Sequence, residues 1–176
     1  MTGWRDVPAD LSDTAALVRL DAHLPANALL TSSDLIRATA TADALAATRT
    51  RLPPDPTLRE IHFGAWDGRH WSDIAATDPE LSRAFWEDPG PHRAPGGESW
   101  NAASARATAA ANRLTDAHQG RDIIIVAHFG IILTQLARAT GQTPYQTLAQ
   151  TIAPLSVTCL AHDAGRWQAL SINHIP

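Results

Sequence analysis

The sequence holds one cysteine, Cys159, in 176 residues, so no disulfide can form within the chain, and no CxxC pair or cysteine–histidine cluster with zinc spacing occurs. A reducing, cytoplasmic setting is the default expectation. Positive charge is not in excess either. The 14 Lys and Arg against 18 Asp and Glu leave a formal net charge of −4, which argues against nucleic acid or an anionic membrane surface as partner. No run of about 18 apolar residues occurs, and the start, Met1-Thr-Gly-Trp-Arg-Asp, has no charged segment followed by an apolar one, so neither membrane insertion nor export is expected. The eight histidines, His62, His70 and His92 among them, form no HxH or HExxH arrangement, and neither a metal site nor another cofactor is expected. Internal repeats and low-complexity segments are absent. What is present is 44% hydrophobic residues, enough for one domain over residues 1–176 with a core that buries a sheet.

The chain opens with a loop over residues 1–12, broken by Gly3, Asp6, Pro8 and Asp10. A helix is predicted from Thr14 to about His23. Asn27 to Thr31 reads as a short apolar strand, followed by Ser32-Ser33-Asp34 as helix-capping residues for a second helix to about Thr48. Arg51 to Pro56 reads as a linker, and Leu58 to Gly68 as an irregular segment of aromatics and charge, the kind that carries function. Trp71 to Trp86 is predicted helical, Asp88 to Glu98 a Pro/Gly loop, and Ser99 to about His118 an alanine-rich helix. Asp122 to Ala127 is a continuous β-branched run, predicted to be a central strand covered on both faces. A helix from about Gly130 to Ala139 follows, with Gly141 at its C′ position, and Ser156–Ala161 and Arg166–Ile172 are predicted to pair as a hairpin across Asp163-Ala-Gly165. Strands alternating with helices imply an α/β domain with a largely parallel sheet. Such a domain ordinarily opens with a strand, whereas here the first arrives near residue 27.

Open α/β sheets collect ligands at the carboxyl ends of their strands, and two polar groups fall there: Ser32-Ser-Asp-Leu-Ile-Arg37 and His128-Phe-Gly130. Each stands at a strand-to-helix junction, where free N–H groups and a guanidinium fork suit an anion, most simply a phosphate. Spacing alone leaves Arg37 equally a partner of Asp34, three positions earlier. His128 interrupts a strongly apolar segment and reads either as a functional imidazole or as a satisfied core histidine. Glu60, if held among Ile61, Phe63 and Trp66, would have a raised pKa and serve as an acid near neutral pH; otherwise it is a solvated loop residue.

Taken in order, Gly3-Trp-Arg-Asp-Val-Pro8, Ser32-Ser-Asp-Leu-Ile-Arg-Ala38, Leu58-Arg-Glu-Ile-His-Phe-Gly64 with Trp66-Asp-Gly68, Pro95-Gly-Gly-Glu-Ser99 and Val126-Ala-His-Phe-Gly130 resemble the phosphoglycerate-mutase-like histidine phosphatase superfamily, in the branch containing α-ribazole phosphatases. The resemblance covers essentially the whole chain. It implies a three-layer α/β/α fold and hydrolysis of a small-molecule phosphate ester through a phosphohistidine. It further implies that Arg37 binds the phosphoryl oxygens, that His128 binds and stabilises the transferring group, and that Glu60 protonates the leaving oxygen.

The resemblance also implies an Arg-His-Gly strand ahead of Gly3-Trp4, and no Arg-His-Gly or Arg-His-Ala occurs in these 176 residues. The chain is therefore expected to lack the first strand and the nucleophile and to be nearly inert, with sheet edges left for dimerisation to cover. Three readings follow: a phosphomonoesterase whose start lies upstream of Met1, a non-catalytic binder of phosphate esters or of a protein, and an enzyme in which His62 replaces the nucleophile. Phe129 stands where the family has a small residue, and its side chain is expected either to narrow the pocket or to swing outward.

Overall fold

The β-branched run at Ile123–Val126 and the apolar pair Leu29-Leu30 both become strands, and they hydrogen-bond to each other in parallel. The computed structural model describes residues 1–163 and 165–176. In chain order its elements are α1 (Thr14–His23), β1 (Leu29–Ser32), α2 (Ile36–Ala44), β2 (Thr50–Arg51), α3 (Trp71–Thr77), α4 (Pro79–Glu87) and α5 (Trp100–Ala117). They continue with β3 (Ile123–Val126), α6 (Phe129–Thr140), α7 (Pro144–Leu148), β4 (Val157–Asp163) and β5 (Arg166–His174). β1 lies between β2 and β3 in an all-parallel sheet, and β4 and β5 form an antiparallel hairpin. The α/β class with a parallel sheet is as expected. Among the described residues no helix is long and apolar enough to cross a membrane.

Alternation along the strands divides the packing. Leu30, Ile124 and Val126 point toward α1 and α2, where they meet Leu20, Ala42 and Leu45. Leu29 and Thr31 point the other way and are also buried, so both faces of β1 are covered. A second cluster joins Trp100, Ala103 and Ala107 of α5 to Ile131, Leu133 and Leu136 of α6, with Ala127, Leu160 and Ala169 against it. The alanine stripe of α5 is what lets α6 approach closely. A third cluster, Trp66, Ile74, Phe85 and Ala94, anchors α3 and α4.

Four expectations are corrected. The predicted central strand is an edge: β3 pairs only with β1 among the described residues, its four residues are half-buried, and β1 takes the middle. The Trp71–Trp86 helix is two helices, broken at Asp78 (φ −144°, ψ 58°), because Pro79 disfavours helical backbone in the residue before it. α2 begins at Ile36 with no side-chain cap, since Ser33 and Asp34 are engaged elsewhere, and it ends at Ala44 rather than near Thr48. The supposed linker Arg51–Pro56 begins inside a strand, since Arg51 is the second residue of β2, whose pairing Leu29↔Thr50 and Leu30↔Arg51 is too short to leave a pattern in the sequence. The hairpin forms as Val157–Asp163 with Arg166–His174; of its predicted turn, Ala164 lies outside the described residues. Gly141 adopts the left-handed conformation (φ 71°) that ends α6, as predicted.

Candidate active site

β1 and β3 run side by side and deliver their next residues to one place. His128 follows β3 as the residue preceding α6, and Ser33 follows β1. The Ser33 hydroxyl lies 2.6 Å from His128 Nε2, and Arg37, in the first turn of α2, donates from Nε to His128 Nδ1 at 3.2 Å. A guanidinium only donates, so Nδ1 carries no proton and the imidazole is the neutral Nε2–H tautomer donating to Ser33. Its surroundings agree. Burial, then the nearby Arg37 and Arg106 charges, pull His128 from its ordinary 6.5 to about 3, with Asp34 opposing.

Arg37 does not pair with Asp34. Asp34 accepts a two-bonded fork from Arg59, Nε at 2.7 Å and Nη2 at 2.6 Å, which holds the carboxyl below its usual range. Arg37 instead donates to the Gly3 carbonyl (2.7 Å) and the Arg5 carbonyl (2.9 Å), carbonyls of the opening loop, besides His128. Burial lowers its pKa while Glu60, Asp6 and Asp67 oppose. A guanidinium has five N–H groups, so three bonds to protein leave two for an incoming anion. The opening loop is itself tied down: Asp67 accepts from the Gly3 and Arg5 amides at 2.9 and 3.0 Å, and Asp6 accepts from the Ile36 amide at 2.6 Å.

Glu60 sits in the irregular segment and is buried rather than solvated. One carboxylate oxygen accepts from the Ile61 amide at 2.8 Å, the other from the Gly130 amide in the first turn of α6 at 3.0 Å. Gly130 is required there: a Cβ would meet Glu60 Oε1 at 2.6 Å. Burial raises the Glu60 pKa, against these two hydrogen bonds and the charges of Arg37 and Arg106. Trp66 packs with Phe85, 5.4 Å between centroids. His62 presents its ring to Trp4, with centroids 4.4 Å apart, and makes no side-chain hydrogen bond to Arg37, Glu60 or His128 among the described residues. Phe129 is 44% exposed, so its side chain swings outward.

The sequence reading missed the group that fixes Glu60. Arg106 of α5 pairs with Glu98 through Nε and Nη2, both at 2.7 Å, and donates to the carbonyls of Thr57, Arg59 and Glu60 at 2.9, 2.7 and 2.8 Å. Glu98 also accepts from the His62 amide at 2.9 Å, and the Trp4 indole donates to the Glu60 carbonyl at 2.6 Å. A signal existed. Arg106 is flanked by the buried Ala103 and Ala107, a place where charge needs a partner. Among the described residues no group of three or more His, Cys, Asp or Glu side chains is arranged to hold a metal ion.

The site therefore combines fixed cationic donors, an imidazole and a carboxyl that holds its proton above the usual range. Comparison with known proteins accounts for the pattern. The model of the histidine phosphatase superfamily (branch 1) matches residues 3–175, and the chain belongs to that superfamily. The chain is 33% identical over 114 residues to a metal-independent phosphoserine phosphatase of Arabidopsis thaliana, covering 62% of this chain and 47% of that protein. It is 32% identical over 148 residues to the adenosylcobalamin/alpha-ribazole phosphatase of Escherichia coli, covering 82% of this chain and 67% of that one. The chain thus spans about half the length of the first curated relatives it matches. Among solved structures, YhfR of Bacillus stearothermophilus superimposes with a TM-score of 0.88 at 28% identity, over 100% of this chain and 89% of that one.

Proposed function

We propose that these residues form the phosphoryl site of a phosphatase for small-molecule phosphomonoesters, working through a phosphohistidine whose nucleophile this 176-residue sequence does not contain. The observation that carries the reading is the convergence of Arg37 and Glu60 on the two sides of the His128–Gly130 junction. In the full reaction an imidazole nitrogen attacks phosphorus and the ester P–O bond breaks. Glu60 gives its proton to the departing alkoxide, then takes one from the water that hydrolyses the phosphohistidine to free phosphate. Arg37 and His128 meet the charge on the equatorial oxygens. None of these steps draws on a metal. Among the described residues β3 has no neighbour on its second edge, which leaves room there for a nucleophile-bearing strand, and the free, exposed Cys159 suits a single domain working in the reducing cytoplasm.

The lack of any Arg-His-Gly favours one other reading, a non-catalytic domain that binds phosphate esters. Hydrolysis of p-nitrophenyl phosphate by this chain, beside a version extended upstream in its reading frame, separates the two. Activity only in the extended protein is the expected result. Phosphate binding without turnover in either selects the binder, and turnover by the 176 residues alone would overturn the need for a further nucleophile.

A further inference from the structure

We infer that the cleft lined by Met1, His70, Trp71 and Trp86 is the subsite for the leaving group, and that it selects an uncharged, planar aromatic alcohol; this rests on the phosphoryl-site reading above. The two tryptophans are the reason to look there. Trp71 is 63% exposed and Trp86 41%, and together they line one cleft of about 420 Å³, a size within the range of small-molecule pockets, about 300–1,000 Å³. Indole rings present large apolar faces, and two of them left open to water in one concavity mark a binding surface rather than a packing site.

The cleft is built on fixed supports. Trp71 opens α3 and Trp86 lies in the last turn of α4, and these helices are held from beneath by Ile74 and Phe85 in the cluster that contains Trp66. Phe85 meets Trp86 edge to face with centroids 5.1 Å apart, and the His70 ring leans on Trp71 at 5.6 Å. A ligand ring therefore meets indoles whose helices are already ordered, which lowers the entropic cost of binding.

Continuity with the phosphoryl site comes through the opening loop. The Met1 carbonyl accepts from the Gly68 amide at 2.8 Å, and the Gly3 carbonyl accepts from Arg37 Nη2 at 2.7 Å. Two residues of chain span at most about 7 Å, so Met1, which lines the cleft, lies within a small molecule's length of the Arg37 guanidinium. Chemistry decides the class of occupant. The lining side chains include no carboxylate and no guanidinium, and the Met1 amino group is engaged by the Arg69 carbonyl, so no side chain there rewards a second charge on the leaving group. Flat rings gain most from indole faces.

The test is calorimetric titration of the 176-residue chain with inorganic phosphate, glycerol 2-phosphate and 1-naphthyl phosphate, with 1-naphthol as the uncharged control. The naphthyl ester is expected to bind about tenfold or more tightly than the glycerol ester. That ratio should fall to about one in W71A/W86A and persist in W71F/W86F, which keeps aromatic faces. A ratio near one in the unmodified chain, with phosphate still bound, overturns the aromatic cleft and leaves the phosphoryl reading intact. Binding of 1-naphthol that is lost in W71A/W86A, with no binding of phosphate, keeps the cleft and sinks the phosphoryl reading. Failure of all four ligands to bind overturns both.

Discussion

β1 and β3 are neighbours of equal length that end in the same site, yet they are built in opposite senses. β1, Leu29-Leu-Thr-Ser32, contains two polar residues and is buried at all four positions, paired on both sides. β3, Ile123-Ile-Ile-Val126, is wholly apolar and half-buried throughout, paired on one side only among the described residues. The polar residues of β1 are tolerated because each finds a partner: Thr31 donates to the Pro53 carbonyl at 3.0 Å, and Ser32 accepts from Arg51 at 2.7 Å. Burial thus follows from a strand's place in the sheet, and composition alone does not fix it. One arm of the site, Ser33 and Arg37, stands on an enclosed support, while the other, His128, stands on an open edge.

The contrast makes a stability prediction, the largest effect expected. Leu30 is fully buried and Ile124 is only partly so, although both belong to the cluster beneath α1 and α2. Leu30→Ala should cost about 2–5 kcal/mol and Ile124→Ala about half as much, read as shifts in the urea midpoint at constant slope. Equal losses would mean that β3 is covered in solution. If the Ile124→Ala loss also grew with protein concentration, a second copy would be what covers it.

Binding separates the two arms more finely. Arg37→Ala removes the charge and the two N–H groups left over for an anion, and should weaken inorganic phosphate about 10- to 100-fold in calorimetry. Ser33→Ala leaves that charge in place and removes only the partner of His128 Nε2, so a loss under about tenfold is expected. If Ser33→Ala weakened phosphate as much as Arg37→Ala, orientation of the imidazole would outweigh the guanidinium's charge.

Three residues that the structure brings together, Arg37, Glu60 and His128, are legible in the sequence; Arg106 and the pairing of the groups are not. His128 was visible because it ends an unbroken apolar run, and Glu60 because it stands in a segment that no period explains. Arg37 was visible, but its partners were not. Asp34, the neighbour that spacing offers, is taken by Arg59, 25 residues farther on, and Arg37 turns to backbone carbonyls of the opening loop, which carry no mark in a sequence. Ser33 read as a helix cap because serine before a helix ordinarily is one; its use by His128 depends on β1 and β3 lying in register, Ser32 beside Val126. The Asp78-Pro79 break and the Thr143–Gln146 capping box of α7 do carry local marks, yet the predicted Trp71–Trp86 helix runs through the first and no helix is predicted at the second.

The last effect concerns the imidazole itself. Burial holds His128 neutral down to about pH 3, whereas an exposed histidine takes up a proton near 6.5. Between those values the unfolded chain binds a proton that the folded chain refuses, so this residue makes stability fall as pH falls, by about 1.4 kcal/mol per pH unit. Glu60 works the other way. Its pKa is raised above 4.5 by burial, so the folded carboxyl keeps a proton that the unfolded one has released, and stability is lost as pH rises through that interval. The two slopes oppose each other where the intervals overlap, which hides both in the unmodified chain. Subtracting the stability of His128→Asn isolates the histidine, since Glu60 is common to both proteins. Acidification from about pH 5.5 to about 4.5 should therefore cost the unmodified chain about 1.4 kcal/mol relative to the variant, measured by urea unfolding at each pH. An unchanged difference would mean that water and protons reach His128 in the folded chain, and that the open edge of β3 leaves this arm of the site wet.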